Sequence, residues 1–152
     1  MDLNRLKQSI KKHEGLKLKP YQCPNNKLSI GYGRNLEDNG ITLQEAEKLL
    51  ETDLLNIKLE LVDKIKFFYK LDDVRQNVLL EMAFNMGVSR LLGFKNTLKF
   101  MEKTDFINAS KEMLNSKWHE AFKKYDSQDG KQNNNGLLRS EYLSKIMKEG
   151  TF

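Results

Sequence analysis

The sequence predicts an α+β fold that is mostly α, with a small β lobe near the N-terminus and a larger helical lobe after it. Three observations predict it. Both prolines of the chain, Pro20 and Pro24, fall between residues 16 and 34. In the same stretch Leu28-Ser29-Ile30 alternates as a strand does, between Asn25-Asn26 and Gly31-Tyr32-Gly33. From residue 42 onward the apolar residues recur at helical spacing almost to the end.

Taken in order, Leu3, Leu6 and Ile10 describe a short amphipathic helix over residues 2–13, ended near Glu14-Gly15 by a glycine cap. Residues 16–41 form the β lobe, a hairpin or three-stranded sheet. Gly31 and Gly33 mark a tight bend or a close backbone approach. Thr42-Leu43-Gln44-Glu45 has the pattern of a capping box, with Ile41 before it as a hydrophobic staple. Ala46, Leu49, Leu50, Leu54, Ile57, Leu61 and Ile65 then continue a helical stripe toward Phe68 with no Gly or Pro. One long helix, or two with a break near Asn56, fills residues 42–70 and connects the lobes.

The helical lobe occupies residues 71–152. Asp72 caps a helix over 73–86, with Val74, Val78, Leu79, Met82 and Ala83 inward and Gly87 at its end. Short helices follow near 88–92, 94–102, 105–115 and 116–124. Residues 126–136 are polar and rich in Gly and Asn and read as an exposed loop. A last helix covers 137–148. The 152 residues suit one two-lobed domain, and a cleft between lobes is a common ligand site.

Hydrophobic residues make up 39% and charged residues 31%, a balance that fits a globular chain and excludes a disordered one. The net charge of +5 favours a polyanionic partner, whether nucleic acid, an anionic membrane or an acidic wall polymer, and does not choose among them. Lys and Arg are dispersed, and no helix-turn-helix or aromatic-plus-basic motif appears, so nucleic acid is not expected. No stretch approaches a membrane-spanning length, so no membrane insertion is expected. The N-terminus carries no apolar run of the signal-peptide kind, which places the expected site of synthesis and storage in a cytoplasm. Cys23 is the sole cysteine, and the fold needs no oxidising compartment.

The chemistry concentrates between His13 and Arg34. Glu14 stands at a helix end, where the negative pole of the helix dipole favours a protonated carboxyl able to donate to a leaving oxygen. Cys23 and Ser29 sit on the hairpin that can fold back toward it. Alone, each has a bland reading: a solvated Glu, a small buried thiol, a strand serine. As a nucleophile Cys23 would need His13 or His119, and no cysteine-protease signature surrounds either. Two His and one Cys far apart match no metal-ligand spacing, and Gly31-Tyr32-Gly33 lacks the rest of a dinucleotide fingerprint. No metal or cofactor is expected.

Glu14, eight residues, Cys23, five residues, Ser29, with Glu-Gly-Leu and Ile-Gly-Tyr-Gly around them, resembles the signature of the phage-type lysozymes, the endolysin family of glycoside hydrolases. That signature reads Glu, eight residues, Asp or Cys, five residues, Thr. Phe84-Asn85-Met86-Gly87, Gly93 to Leu98, Ser116-Lys117-Trp118, Leu138-Arg139 and Gly150-Thr151-Phe152 extend the resemblance over nearly the whole chain. The resemblance implies a lysozyme-like fold with Glu14 as general acid, and with Cys23 and Ser29 positioning or activating water. It implies Asn35, Phe84, Asn85 and Thr97 along the saccharide cleft, Asn35 replacing a Leu and Thr97 a Ser. It implies an ion pair between Arg139 and Glu14. It further implies a monomer acting on the glycan strands of peptidoglycan after holin-dependent release from a host bacterium.

Two departures shape the expected mechanism. Cys23 replaces a carboxylate, and Ser29 replaces Thr. A neutral thiol is a poor general base. The leading expectation is a muramidase that cleaves the β-1,4 bond between N-acetylmuramic acid and N-acetylglucosamine. A lytic transglycosylase, in which a sugar hydroxyl attacks and leaves a 1,6-anhydro end, needs only one acid/base residue and stays open. So does a non-catalytic basic domain that binds wall polymer or nucleic acid.

Overall fold

A computed structural model describes residues 2–129 and 137–152. Its elements run in the order expected of a mostly helical α+β protein, and they divide into two compact units, Met1–Leu50 and Glu51–Phe152. The division falls inside one long helix.

The first unit begins with α1, Leu3–Glu14. The Asp2 carboxylate caps it by accepting from the Asn4 and Arg5 amides, and Gly15, at φ +69°, closes it. Strands β1 (Lys17–Gln22), β2 (Leu28–Gly31) and β3 (Arg34–Asn35) form an antiparallel sheet in sequence order. Its register sets Tyr21 opposite Ser29 and Ser29 opposite Asn35. The β1–β2 turn is tight. The Asn26 amide donates to the Cys23 carbonyl at 2.8 Å, and Asn26 takes a left-handed φ of 58°, which its short amide side chain tolerates. A four-residue helix α2, Leu36–Asn39, follows β3. It escapes the sequence reading, because one turn of helix has no period to detect.

Helix α3 runs unbroken over Leu43–Lys64, so the break considered near Asn56 is absent. Its capping box forms as the sequence predicts. The Glu45 amide donates to Thr42 Oγ1, and the Thr42 amide donates to Glu45 Oε2 at 2.7 Å.

The second unit carries the core. After a 3₁₀ turn at Phe68–Lys70 come α4 (Asp73–Met86), α5 (Val88–Leu92), α6 (Lys95–Glu102), α7 (Phe106–Leu114), α8 (Lys117–Asp129) and α9 (Arg139–Glu149). The predicted boundaries hold within two residues, except that α8 runs on through 126–129, where a loop was expected. The remainder of that expected loop, 130–136, lies outside the described residues. Leu61, Phe68, Leu79, Met82, Leu91, Met101, Met113, Leu143 and Met147 are fully buried. Each large buried side chain contributes about 2 kcal/mol. The four methionines, unbranched and polarizable, adapt to the gaps between short helices.

Arg75 ties α4 to α7 and α9. Its guanidinium stacks 3.6 Å above the Phe106 ring, donates to the Met147 and Lys148 carbonyls, and pairs with the cap residue Asp72. Gly150 lies against it, and a Cβ there would meet the guanidinium at 2.6 Å.

Candidate active site

Glu14 is the last residue of α1 and is exposed. Its carboxylate rests on Gly33, where a Cβ would lie 3.3 Å from Oε2. Gly33 has φ +82°, so both its backbone and its missing side chain suit this close approach. On the preceding helical turn Lys11 places its ammonium 5.4 Å from the centre of the Tyr32 ring. Arg34, one residue past Gly33, donates to the Gly40 carbonyl and pairs with Glu45, both at 2.8 Å, bracing the turn against the start of α3.

Cys23 and Ser29 are brought together across the β1–β2 hairpin. Cys23 is half-buried. The Lys27 amide hydrogen-bonds its sulfur and pulls the thiol below its ordinary value. Burial opposes this, and the Ser29 hydroxyl and the Asn25 amide add to it, leaving the net shift downward. Ser29 is only 3% exposed, the one residue of the first unit in the buried class among those described. The small sheet therefore places a hydroxyl where such a sheet would ordinarily place an apolar side chain.

Of the other expected residues, Asn35 belongs to the first unit and Phe84, Asn85, Thr97 and Arg139 to the second. Asn35 caps α2: its Oδ1 accepts from the Asp38 amide, and its Nδ2 donates to the Asp38 carboxylate at 2.8 Å. Its side-chain amide thus closes the start of α2. Phe84, 45% exposed, lines a shallow groove of about 400 Å³ with Asp53, Asn56, Ile57 and Glu60. Asn85 and Thr97 line a larger cavity of about 890 Å³ in the second unit. Arg139 donates to Glu81 at 2.8 Å. Within the second unit this pair ties the start of α9 to α4, where Glu81 lies.

The larger cavity holds groups to which the sequence reading gave no role of their own. Trp118 lies edge-on to Phe94 and Phe122 and donates to Asn85 Oδ1 at 2.8 Å. Asn96 donates to Glu112 across the wall. The Thr97 hydroxyl, in a residue 1% exposed, has no partner among the described residues. Such an orphan costs about 1–3 kcal/mol, a cost that a ligand's polar atom can offset. The helical spacing of Trp118 and Phe122 was the signal available in the sequence. His119 plays no part: buried, its Nδ1 bonds the Ser140 hydroxyl at 2.8 Å. No cluster of His, Cys, Asp or Glu able to hold a metal occurs among the described residues.

A family model, "Phage lysozyme", matches residues 11–140, from the last turns of α1 to the start of α9. The chain belongs to the phage lysozyme family. It is 31% identical over 146 residues to "Probable T4-type lysozyme 1" of Dictyostelium discoideum, across 77% of this chain and 86% of that one. "Probable T4-type lysozyme 2" of the same organism is 29% identical over 147 residues, with the same shares. An endolysin of Acyrthosiphon pisum secondary endosymbiont phage 1 is 32% identical over 116 residues, covering 74% of this chain and 75% of the relative. As a phage lysozyme, the chain is a glycoside hydrolase that degrades bacterial cell-wall peptidoglycan.

Proposed function

We propose that this lysozyme is a muramidase that hydrolyses the β-1,4 bond between N-acetylmuramic acid and N-acetylglucosamine, with Glu14 as general acid and Cys23 and Ser29 as the water site. The reading is carried by the Glu14 carboxylate lying on Gly33, in the turn that leaves the strand bearing the buried Ser29, whose hydroxyl faces the half-buried Cys23 across the hairpin. Glu14 donates its proton to the glycosidic oxygen as the bond from C1 breaks. Water held by the Ser29 hydroxyl bonds to C1 and yields its proton to Cys23, whose lowered pKa raises the thiolate fraction. Asn85 and Thr97 line a cavity of the second unit able to take a saccharide, and the +5 charge draws in the anionic wall. The enzyme acts as a monomer on glycan strands, reached from the host cytoplasm through a holin pore.

The thiol in place of a carboxylate favours a second reading, lytic transglycosylation, in which the muramyl 6-hydroxyl attacks C1. Mass spectrometry of fragments released from purified peptidoglycan separates the two. Hydrated muramic acid ends are expected; 1,6-anhydro ends, lighter by one water, establish the transglycosylase.

A further inference from the structure

The sequence reading gives α1 an apolar face of Leu3, Leu6 and Ile10, yet these are 63%, 48% and 44% exposed. The one residue of the helix that is not exposed is a cation, Lys11. It is half-buried, and its ammonium lies over the Tyr32 ring at 5.4 Å, within the range where the negative ring face attracts a cation.

Lys11 and Glu14 stand three residues apart, on one face of α1. Their partners, Tyr32 and Gly33, are adjacent in the β2–β3 turn. Two neighbours on the helix thus meet two neighbours on the turn. The Lys11 carbonyl also accepts the Gly15 amide at 3.3 Å, closing the helical turn that bears Glu14. Tyr32 in turn sits between Gly31 at φ +69° and Gly33 at φ +82°, a backbone that lifts its ring toward the helix.

We propose that Lys11 and Tyr32 are positioning residues for the reaction, a cation–aromatic clasp that sets the rotation of the last turn of α1 and so aims the Glu14 carboxyl. The inference rests on Glu14 being the general acid. Releasing the clasp leaves the acid present but misaimed, so it lowers kcat and spares KM. A ring that instead stacked on the sugar would govern KM, and Lys11 would be indifferent.

The test is a set of initial-rate measurements on soluble peptidoglycan fragments, with melting temperatures as the fold control. The variants are Lys11→Met, Tyr32→Leu, their combination, Lys11→Arg, Tyr32→Phe and Glu14→Gln. Lys11→Met and Tyr32→Leu are expected to lower kcat roughly ten-fold at unchanged KM, and the double variant to be no worse than either single. Lys11→Arg and Tyr32→Phe keep charge and ring and are expected within about twofold of the parent. Parental kcat in both disruptive variants, additive losses, a change confined to KM, or a ten-fold loss in a folded Lys11→Arg or Tyr32→Phe protein overturns the clasp. If a disruptive variant melts early, the two conservative variants still decide. A Glu14→Gln protein at the parental rate removes the acid assignment itself; an inactive one beside parental Lys11 and Tyr32 variants removes only the clasp.

Discussion

At the scale of residues, the proposed site replaces a second carboxylate with a thiol whose environment moves it toward the anion. The Lys27 amide is the largest cause, opposed by burial and helped by the Ser29 hydroxyl and the Asn25 amide. A base must be deprotonated, so the rate is expected to fall as pH drops through the thiol's value, which lies below the usual ~8.5. Cys23→Ser should lose part of the rate and also this limb. Profiles of kcat/KM against pH for parent and variant check it; an unchanged limb in Cys23→Ser assigns the titration elsewhere and ends the role of the thiol as base. Ser29 strengthens the argument through its burial. A hydroxyl 3% exposed, set beside the one thiol and helping to lower it, is an uncommon use of the best-covered position in a small sheet unless the pair has a task.

At the scale of elements, the helices are held by their ends. The Asp72 carboxylate accepts from the Arg75 amide at the start of α4, and the Asp105 carboxylate from the Asn108 amide at the start of α7. Burial pushes the Asp72 carboxyl up, but the Arg75 amide and guanidinium outweigh it, and the net shift is downward. The Asn108 side chain and amide draw Asp105 down. Carboxyls lowered in the fold contribute stability above their unfolded values, about pH 4, and lose it as pH falls through the folded ones. The parent is therefore expected to lose melting temperature with acid more steeply than the Asp72→Asn/Asp105→Asn protein, and Asp72→Ala to cost about 1 kcal/mol at neutral pH. Parallel melting curves against pH contradict this account of the caps. These same local signals made much of the fold legible. Asp72, Gly87 and the Thr42–Glu45 box act within four residues of themselves, so α3 and α4 were readable from the sequence. What acts across the chain was not. The Arg139–Glu81 pair spans 58 residues, and Asn35 serves a four-residue helix without a period. The Lys11–Tyr32 contact depends on two glycine conformations.

At the scale of the whole molecule, the two units differ in what holds them. The second encloses a continuous cluster of fully buried Leu, Met and Phe side chains, whereas the first has Ser29 as its one buried residue among those described. Amides of β1–β3 are therefore expected to exchange through openings of lower free energy than those of α4 and α9. Hydrogen exchange followed by NMR measures this, and equal protection in both units contradicts it. The motif from Glu14 to Ser29 could be read before the structure because its residues lie within one short stretch of chain. The aromatic wall of Trp118, Phe94 and Phe122 could not, since it joins α8 to the residue that opens α6, more than twenty positions earlier. The central claim is that Glu14 is the acid that cleaves the wall polymer. The most direct measurement is release of soluble fragments from purified peptidoglycan by the parent and by Glu14→Gln, with circular dichroism as the fold control. The account predicts fragments from the parent and none from a folded Glu14→Gln protein; fragments at the parental rate from that variant would contradict it.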